Sequence, residues 1–190
     1  MILYINACVR TESRTNRIAK VLLKTFGGEY EEVKLAEDMP EPLNETRLQK
    51  RTELIEKGDY SDPMFCLARQ FRSADIIVIG APYWDFGFPA VLKAYLENIY
   101  VTGLVSEYGA DGTPHGLCRA KKLYYVTTAG GPYVPDYSYD YIRKLSTVCF
   151  GIPETELIKA EMLDVEEYDA EAIMQEVIDR VNAAGFGRNE

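Results

Sequence analysis

Asp75-Ile76-Ile77-Val78-Ile79-Gly80 runs without a break into Ala81-Pro82-Tyr83-Trp84-Asp85-Phe86-Gly87-Phe88-Pro89. The first stretch places four β-branched aliphatics in a row before a glycine. A continuous apolar run of this kind is the pattern of a central parallel strand covered on both faces. The second stretch carries four aromatics, including the only tryptophan of the chain. Strand-end loops are ordinarily polar, and this one is not. Pro89 then suits the first position of a helix. Leu92, Tyr95, Leu96 and Ile99 follow at helical spacing as its apolar stripe.

On the N-terminal side, Ile2-Leu3-Tyr4-Ile5 reads as a short strand and not as a signal peptide, because it lacks a basic flank and a full apolar segment. A polar loop from Cys8 to Ser13 leads into a helix from about Arg14 to Phe26, with Ile18, Ala19, Leu22 and Phe26 on one face and Gly27-Gly28 as its stop. Tyr30 to Leu35 is a second, more polar strand nearer an edge. Residues 37–62, broken by Pro40 and Pro42, read as an excursion with a short charged helix over Leu48 to Lys57. Pro63 to Ser73 is helical, with Leu67, Ala68 and Phe71 inward.

On the C-terminal side, residues 104–118 read as a hairpin-like loop. Lys122 to Thr128 is a strand that ends in Ala129-Gly130-Gly131. Tyr137 to Phe150 is mostly helical, and Leu157 to Leu163 is expected to be the last strand. Asp169 caps a final amphipathic helix through Ile173, Met174, Val177, Ile178 and Val181. Five strands, each followed by a helix, predict an α/β three-layer sandwich. Its five-stranded parallel sheet is expected in the flavodoxin-like order 2-1-3-4-5, with helices on both faces. Residues 1–190 are expected to form a single domain.

The 190 residues are 47% hydrophobic and 27% charged, with a formal net charge of −9. That balance argues against nucleic-acid binding and against a polybasic membrane anchor. No apolar run reaches the length of a transmembrane helix. Four widely spaced cysteines without a C-x-x-C suggest reduced thiols and a cytoplasmic location. The only histidine, His115, rules out a zinc site built on several imidazoles, and no metal is expected.

In a doubly wound sheet, ligands bind outside the carboxyl ends of the strands, where the strand order reverses. The loops after the first, third and fourth strands are the unusual ones. The first carries hydroxyls at Thr11, Ser13 and Thr15 and cations at Arg10, Arg14 and Arg17, where a helix begins. Free N–H groups at a helix N-terminus suit a phosphate. There is no G-x-G-x-x-G and no G-x-x-x-x-G-K-[ST], so neither a dinucleotide fingerprint nor a Walker A loop is supported. In isolation, Ser13 reads equally well as a simple cap. The second loop, with Pro82, Tyr83, Trp84, Asp85 and Phe86, suits the walls of a planar ring. In the third, Thr128, Ala129, Gly130 and Gly131 allow close backbone approach, with Tyr133 just beyond.

These stretches resemble the flavodoxin-like NAD(P)H:quinone oxidoreductases and FMN-dependent NADH azoreductases over nearly the whole chain. Residues 81–93 are similar to that family's A-P-x-[YW]-[NW]-F-x-x-P-x-x-L-K segment. Residues 108–117 are similar to its hairpin, Thr127-Thr128-Ala129-Gly130-Gly131 to its T-[ST]-x-G-G turn, and Ser13-Arg14-Thr15-Asn16 to its S-x-[ST]-N phosphate site. Three departures stand out: Asp85 where azoreductases usually carry Asn, Ala129 in place of a common arginine, and a first loop that holds Cys8 and Arg10 without the serine often found early in it.

The resemblance implies bound FMN (FAD is the alternative), NADH or NADPH as electron donor, and a quinone, azo compound or similar small molecule as acceptor. It implies a homodimer, and no catalytic amino acid beyond the flavin. The cofactor-binding residues it implies are Arg10, Ser13, Arg14, Thr15, Pro82, Tyr83, Trp84, Asp85, Phe86, Thr128, Ala129, Gly130, Gly131 and Tyr133. An electron-transfer flavodoxin and a cofactor-free binding module remain open as alternatives, as does an activated thiolate at Cys8 against a buried structural one.

The charge is unevenly placed. Residues 1–28 carry five Lys or Arg against one Glu, whereas residues 154–190 carry three against eleven acidic groups. A locally basic pocket within an acidic surface is therefore expected.

Overall fold

The computed structural model describes residues 1–185. Its main strands are β1 (Ile2–Asn6), β2 (Tyr30–Lys34), β3 (Ile76–Gly80), β6 (Lys122–Thr128) and β7 (Glu154–Ala160). They pair in parallel in the order β2-β1-β3-β6-β7, which is 2-1-3-4-5 counted along the chain as expected. A separate antiparallel hairpin, β4 (Ser106–Tyr108) and β5 (Pro114–Gly116), forms within residues 104–118.

Side chains alternate across each strand, so the sheet feeds two cores. On one face Leu3, Ile5, Ile77, Ile79, Leu123 and Tyr125 meet α3 (Cys66–Ser73) and α4 (Ala90–Ile99) through Phe71, Leu92, Tyr95 and Ile99. On the other, Tyr4, Val78, Tyr124, Val126 and Ile158 meet α1 (Arg14–Thr25) and α6 (Ala170–Ala184) through Ile18, Leu22, Met174 and Val181. The apolar run of β3 is consumed from both sides: Val78 faces one core while Ile77 and Ile79 face the other. Each such aliphatic, fully buried, contributes about 1.5–3 kcal/mol. No helix among the described residues is long and apolar enough to cross a membrane.

The last strand departs from expectation. It spans Glu154–Ala160, three residues earlier than the apolar pattern of 157–163 suggests. At a sheet edge the ladder with β6, and not burial, sets the boundary, and Glu156 is accommodated by Lys122 at 2.7 Å. Met162 then turns left-handed (φ 64°) and ends the strand. The N–H groups of Met162, Leu163 and Asp164 still return to the carbonyls of Gly131, Ala129 and Gly130. The charged helix of the excursion, α2 (Glu45–Glu56), starts earlier than expected because Asn44 caps it, accepting from the Arg47 N–H at 3.0 Å. None of its residues is buried. The helix expected over 137–150 is α5 (Tyr139–Leu145), which widens into a π-turn over Ser146–Phe150.

Phe71 is fully buried, with ring centroids at 5.0 Å from Phe150 and 6.5 Å from Tyr95. Phe71→Ala leaves a cavity at that junction and is expected to cost about 3–5 kcal/mol. A urea titration checks this as a lower midpoint at an unchanged slope.

Candidate functional site

The three unusual loops converge on one cavity of about 460 Å³ at the carboxyl ends of β1, β3 and β6. Its walls come from Val9, Arg10, Glu12, Ser13, Arg14 and Thr15, from Pro82, Tyr83 and Trp84, and from Thr128, Ala129 and Gly130. Leu163 and Asp164 complete it. Asp85, Phe86, Gly131 and Tyr133, also expected at the site, stand behind or beside these walls and do not line it.

At the first loop, Ser13 caps α1: its Oγ accepts from the Asn16 N–H at 3.2 Å. Arg14 and Thr15 occupy the first two helical positions, where an N–H has no acceptor within the helix. Both residues line the cavity, so the positive end of α1 faces it. The Thr15 side chain is fully buried, and its hydroxyl lies 2.6 Å from that of Thr128, which pins α1 to the end of β6. Below, Tyr4 donates to Asn16 Oδ1 at 2.8 Å. Gly80 is required there, because a Cβ would stand 2.7 Å from the Tyr4 hydroxyl oxygen.

The three arginines are not equivalent. Arg17 is held by Glu171 at 2.8 Å, and Arg14 by Asp164 at 2.7 Å. Arg10 has no partner among the described residues. Cys8 is buried, with its Sγ 3.6 Å from the Gly80 carbonyl. Burial pushes its thiol up, against hydrogen bonds from Ser13 and Tyr4 that pull it down. This favours the buried structural reading of Cys8 over an activated thiolate.

The second loop folds back on itself. Trp84 N–H donates to the Gly87 carbonyl at 3.3 Å, and Gly87 N–H returns to that of Trp84 at 2.7 Å. The two central residues, Asp85 (φ 50°) and Phe86 (φ 66°), are both left-handed, as a type I′ turn demands. Such turns favour Asn-Gly or Asp-Gly, so a phenylalanine here is strained. The hydrogen-bonded turn holds Phe86 62% exposed beside Trp84, itself 41% exposed. Tyr83 N–H bonds the Thr128 carbonyl at 3.0 Å, joining the second loop to the third. Tyr133 backs this wall, 4.8 Å from the Tyr83 ring, with its hydroxyl 2.8 Å from Ser138 Oγ.

In the third loop, the carbonyls of Ala129, Gly130 and Gly131 accept from the segment after β7. The N–H groups of Gly130 and Gly131 have no acceptor among the described residues. The cavity thus has an amide-lined end, where Arg10 and Arg14 stand with Glu12 and Asp164, and an aromatic end edged by free glycine amides. Sequence reasoning missed Val9, Glu12, Leu163 and Asp164. The first two lie within a loop already singled out, but no spacing signal joins Leu163 and Asp164 to it. His115 lies on β5 and does not line the cavity.

A family model described as flavodoxin-like fold matches residues 1–184. The chain belongs to this flavodoxin-like family. Among relatives, the FMN-dependent NADH:quinone oxidoreductase of Lachnoclostridium phytofermentans is 30% identical over 184 residues, 92% of each chain. The FMN-dependent NADH:quinone oxidoreductase 2 of Clostridium acetobutylicum is 40% identical over 119 residues, 60% of this chain and 58% of the relative. The match thus spans less than two thirds of that relative's length. Solved structures with this fold include an azoreductase from Bacillus anthracis, at TM-score 0.83 and 20% identity over 97% of both chains. An FMN-dependent NADH-azoreductase from Bacillus anthracis in complex with FMN matches at TM-score 0.79 and 23% identity, again over 97% of both chains.

Two outcomes are expected. Phe86→Gly relieves the left-handed strain at an exposed position and should raise stability by about 1 kcal/mol in chemical denaturation. In thiol labelling of the native protein at mildly alkaline pH, exposed Cys66 should react first, and Cys8 only on unfolding.

Proposed function

We propose that this protein is an FMN-dependent NAD(P)H oxidoreductase that passes two electrons to a quinone, azo compound or similar small acceptor. One observation carries the reading: free helix amides and Arg10 meet an aromatic wall and free glycine amides across a single cavity. A ligand that fits both ends is an anion joined to a planar ring. The cavity, at about 460 Å³, falls in the range of small-molecule sites, roughly 300–1,000 Å³. The names of the relatives, FMN-dependent NADH:quinone oxidoreductases, support FMN over FAD and NADH as donor.

FMN held there would supply the redox chemistry, two-electron hydride transfer between a nicotinamide donor and the acceptor in ping-pong order. The chain's own residues bind, orient and tune. Ser13, Arg14 and Thr15 offer amides and a hydroxyl to the phosphate, and Arg10 adds charge. Pro82, Tyr83 and Trp84 wall one side of the ring, and Asp85 and Phe86 set the strained turn that keeps an exposed aromatic face open to a second planar molecule. Gly130 and Gly131 present backbone amides where negative charge develops on the ring edge, while the Ala129 N–H is tied to the Ala160 carbonyl at 2.9 Å. Thr128 fixes the first loop against the third, and Tyr133 stiffens the wall from behind. We further read residues 1–190 as a single cytoplasmic domain that pairs as a homodimer.

Protein mixed with FMN and desalted should stay yellow, bleach with NADH under anaerobic conditions and recolour on adding a quinone. Colourless protein would sink the proposal. With FMN in excess, Trp84→Ala should lower kcat/KM for the quinone by about tenfold, as loss of one aromatic contact implies.

A further inference from the structure

We propose that Asp164 competes with the cofactor's phosphate for Arg14, so that the flavin is held exchangeably. The inference rests on the reading of the cavity as an FMN site. Asp164 Oδ1 lies 2.7 Å from Arg14 Nη1, and both residues line the cavity. The backbone of Asp164 is fixed by its N–H to the Gly130 carbonyl at 2.9 Å. Its carboxylate leans over Gly130 so closely that a Cβ there would collide with it. A negative charge therefore stands between the amides of α1 and those of the glycine turn.

The phosphate end is charge-balanced as a result. Arg10 and Arg14 face Glu12 and Asp164, so a phosphate monoester, with a charge of about −1.5 to −2, meets no net side-chain charge there. Its attraction comes from the helix amides and from Arg14 once that side chain lets go of Asp164. Letting go is easy, because the Arg14 and Asp164 side chains are 47% and 70% exposed and such a pair is weak in water. The carboxylate, however, remains beside the bound anion and opposes it. The same side chain that steadies Arg14 in the free protein thus limits how long a phosphate-bearing ligand stays.

The test is the affinity and release rate of FMN, read by quenching of flavin fluorescence, for the wild-type chain, Asp164→Asn and Asp164→Ala. Riboflavin serves as the phosphate-free control and inorganic phosphate as a competitor. Both variants are expected to bind FMN about three- to tenfold tighter and to release it more slowly. Riboflavin affinity should not change, and inorganic phosphate should compete at proportionally lower concentration. The gain should shrink at high salt, where exposed charges are screened. FMN affinity that is unchanged or weaker in both variants would overturn the proposal, as would equal tightening of FMN and riboflavin. Absence of flavin binding in every form would instead overturn the assignment of the cavity, and this proposal with it.

Discussion

β1 and β3 end level, and β6 runs two residues further, to Thr128. Asn6 pairs with Gly80 and Gly80 with Val126, so β1, β3 and β6 deliver their loops to one edge of the sheet. Everything at the cavity follows from that register. A parallel ladder gives each strand one allowed alignment once both faces are buried, because a slip of one residue would turn Ile77 and Ile79 into the wrong core. The register is then locked above the sheet by Thr15 against Thr128, and by Tyr83 N–H on the Thr128 carbonyl. Thr128 is the common tie of all three loops.

Local strain is tolerated where this scaffold is stiffest. The Asp85-Phe86 turn adopts two left-handed residues in succession, neither of them glycine. Its two-way hydrogen bonding between Trp84 and Gly87 and its attachment to β6 hold it in place. Strain of this kind persists only when the surroundings over-determine it, and it clusters where a side chain must be presented and not buried. Phe86 fits that pattern, since a relaxed loop could fold this large apolar ring inward.

Much was legible from the sequence because it rests on local or periodic signals. The apolar run of β3, the period-two strands and the stripes of α4 and α6 are burial patterns, and burial dominates the energetics of buried elements. Two edge features were not legible. The β7 boundary is set by a ladder with β6 and by a left-handed Met162, and an apolar count cannot register either. The helix of the excursion buries no residue, so its start depends on the Asn44 cap and not on hydrophobic spacing.

The chain alone established the doubly wound class, the strand order and three loops of unusual composition. It did so because repeating burial patterns and loop chemistry are properties of neighbouring residues. Tertiary structure was needed to show which of those side chains face one cavity. It brought Asp164 onto Arg14 across 150 residues, engaged Arg17 elsewhere with Glu171, and set Tyr133 behind the wall instead of in it. Charge pairing and cavity lining arise from distant segments meeting in space, and a linear pattern carries no record of which will meet. The basic pocket expected from the charge of residues 1–28 is, once folded, nearly balanced by a carboxylate from the acidic C-terminal part.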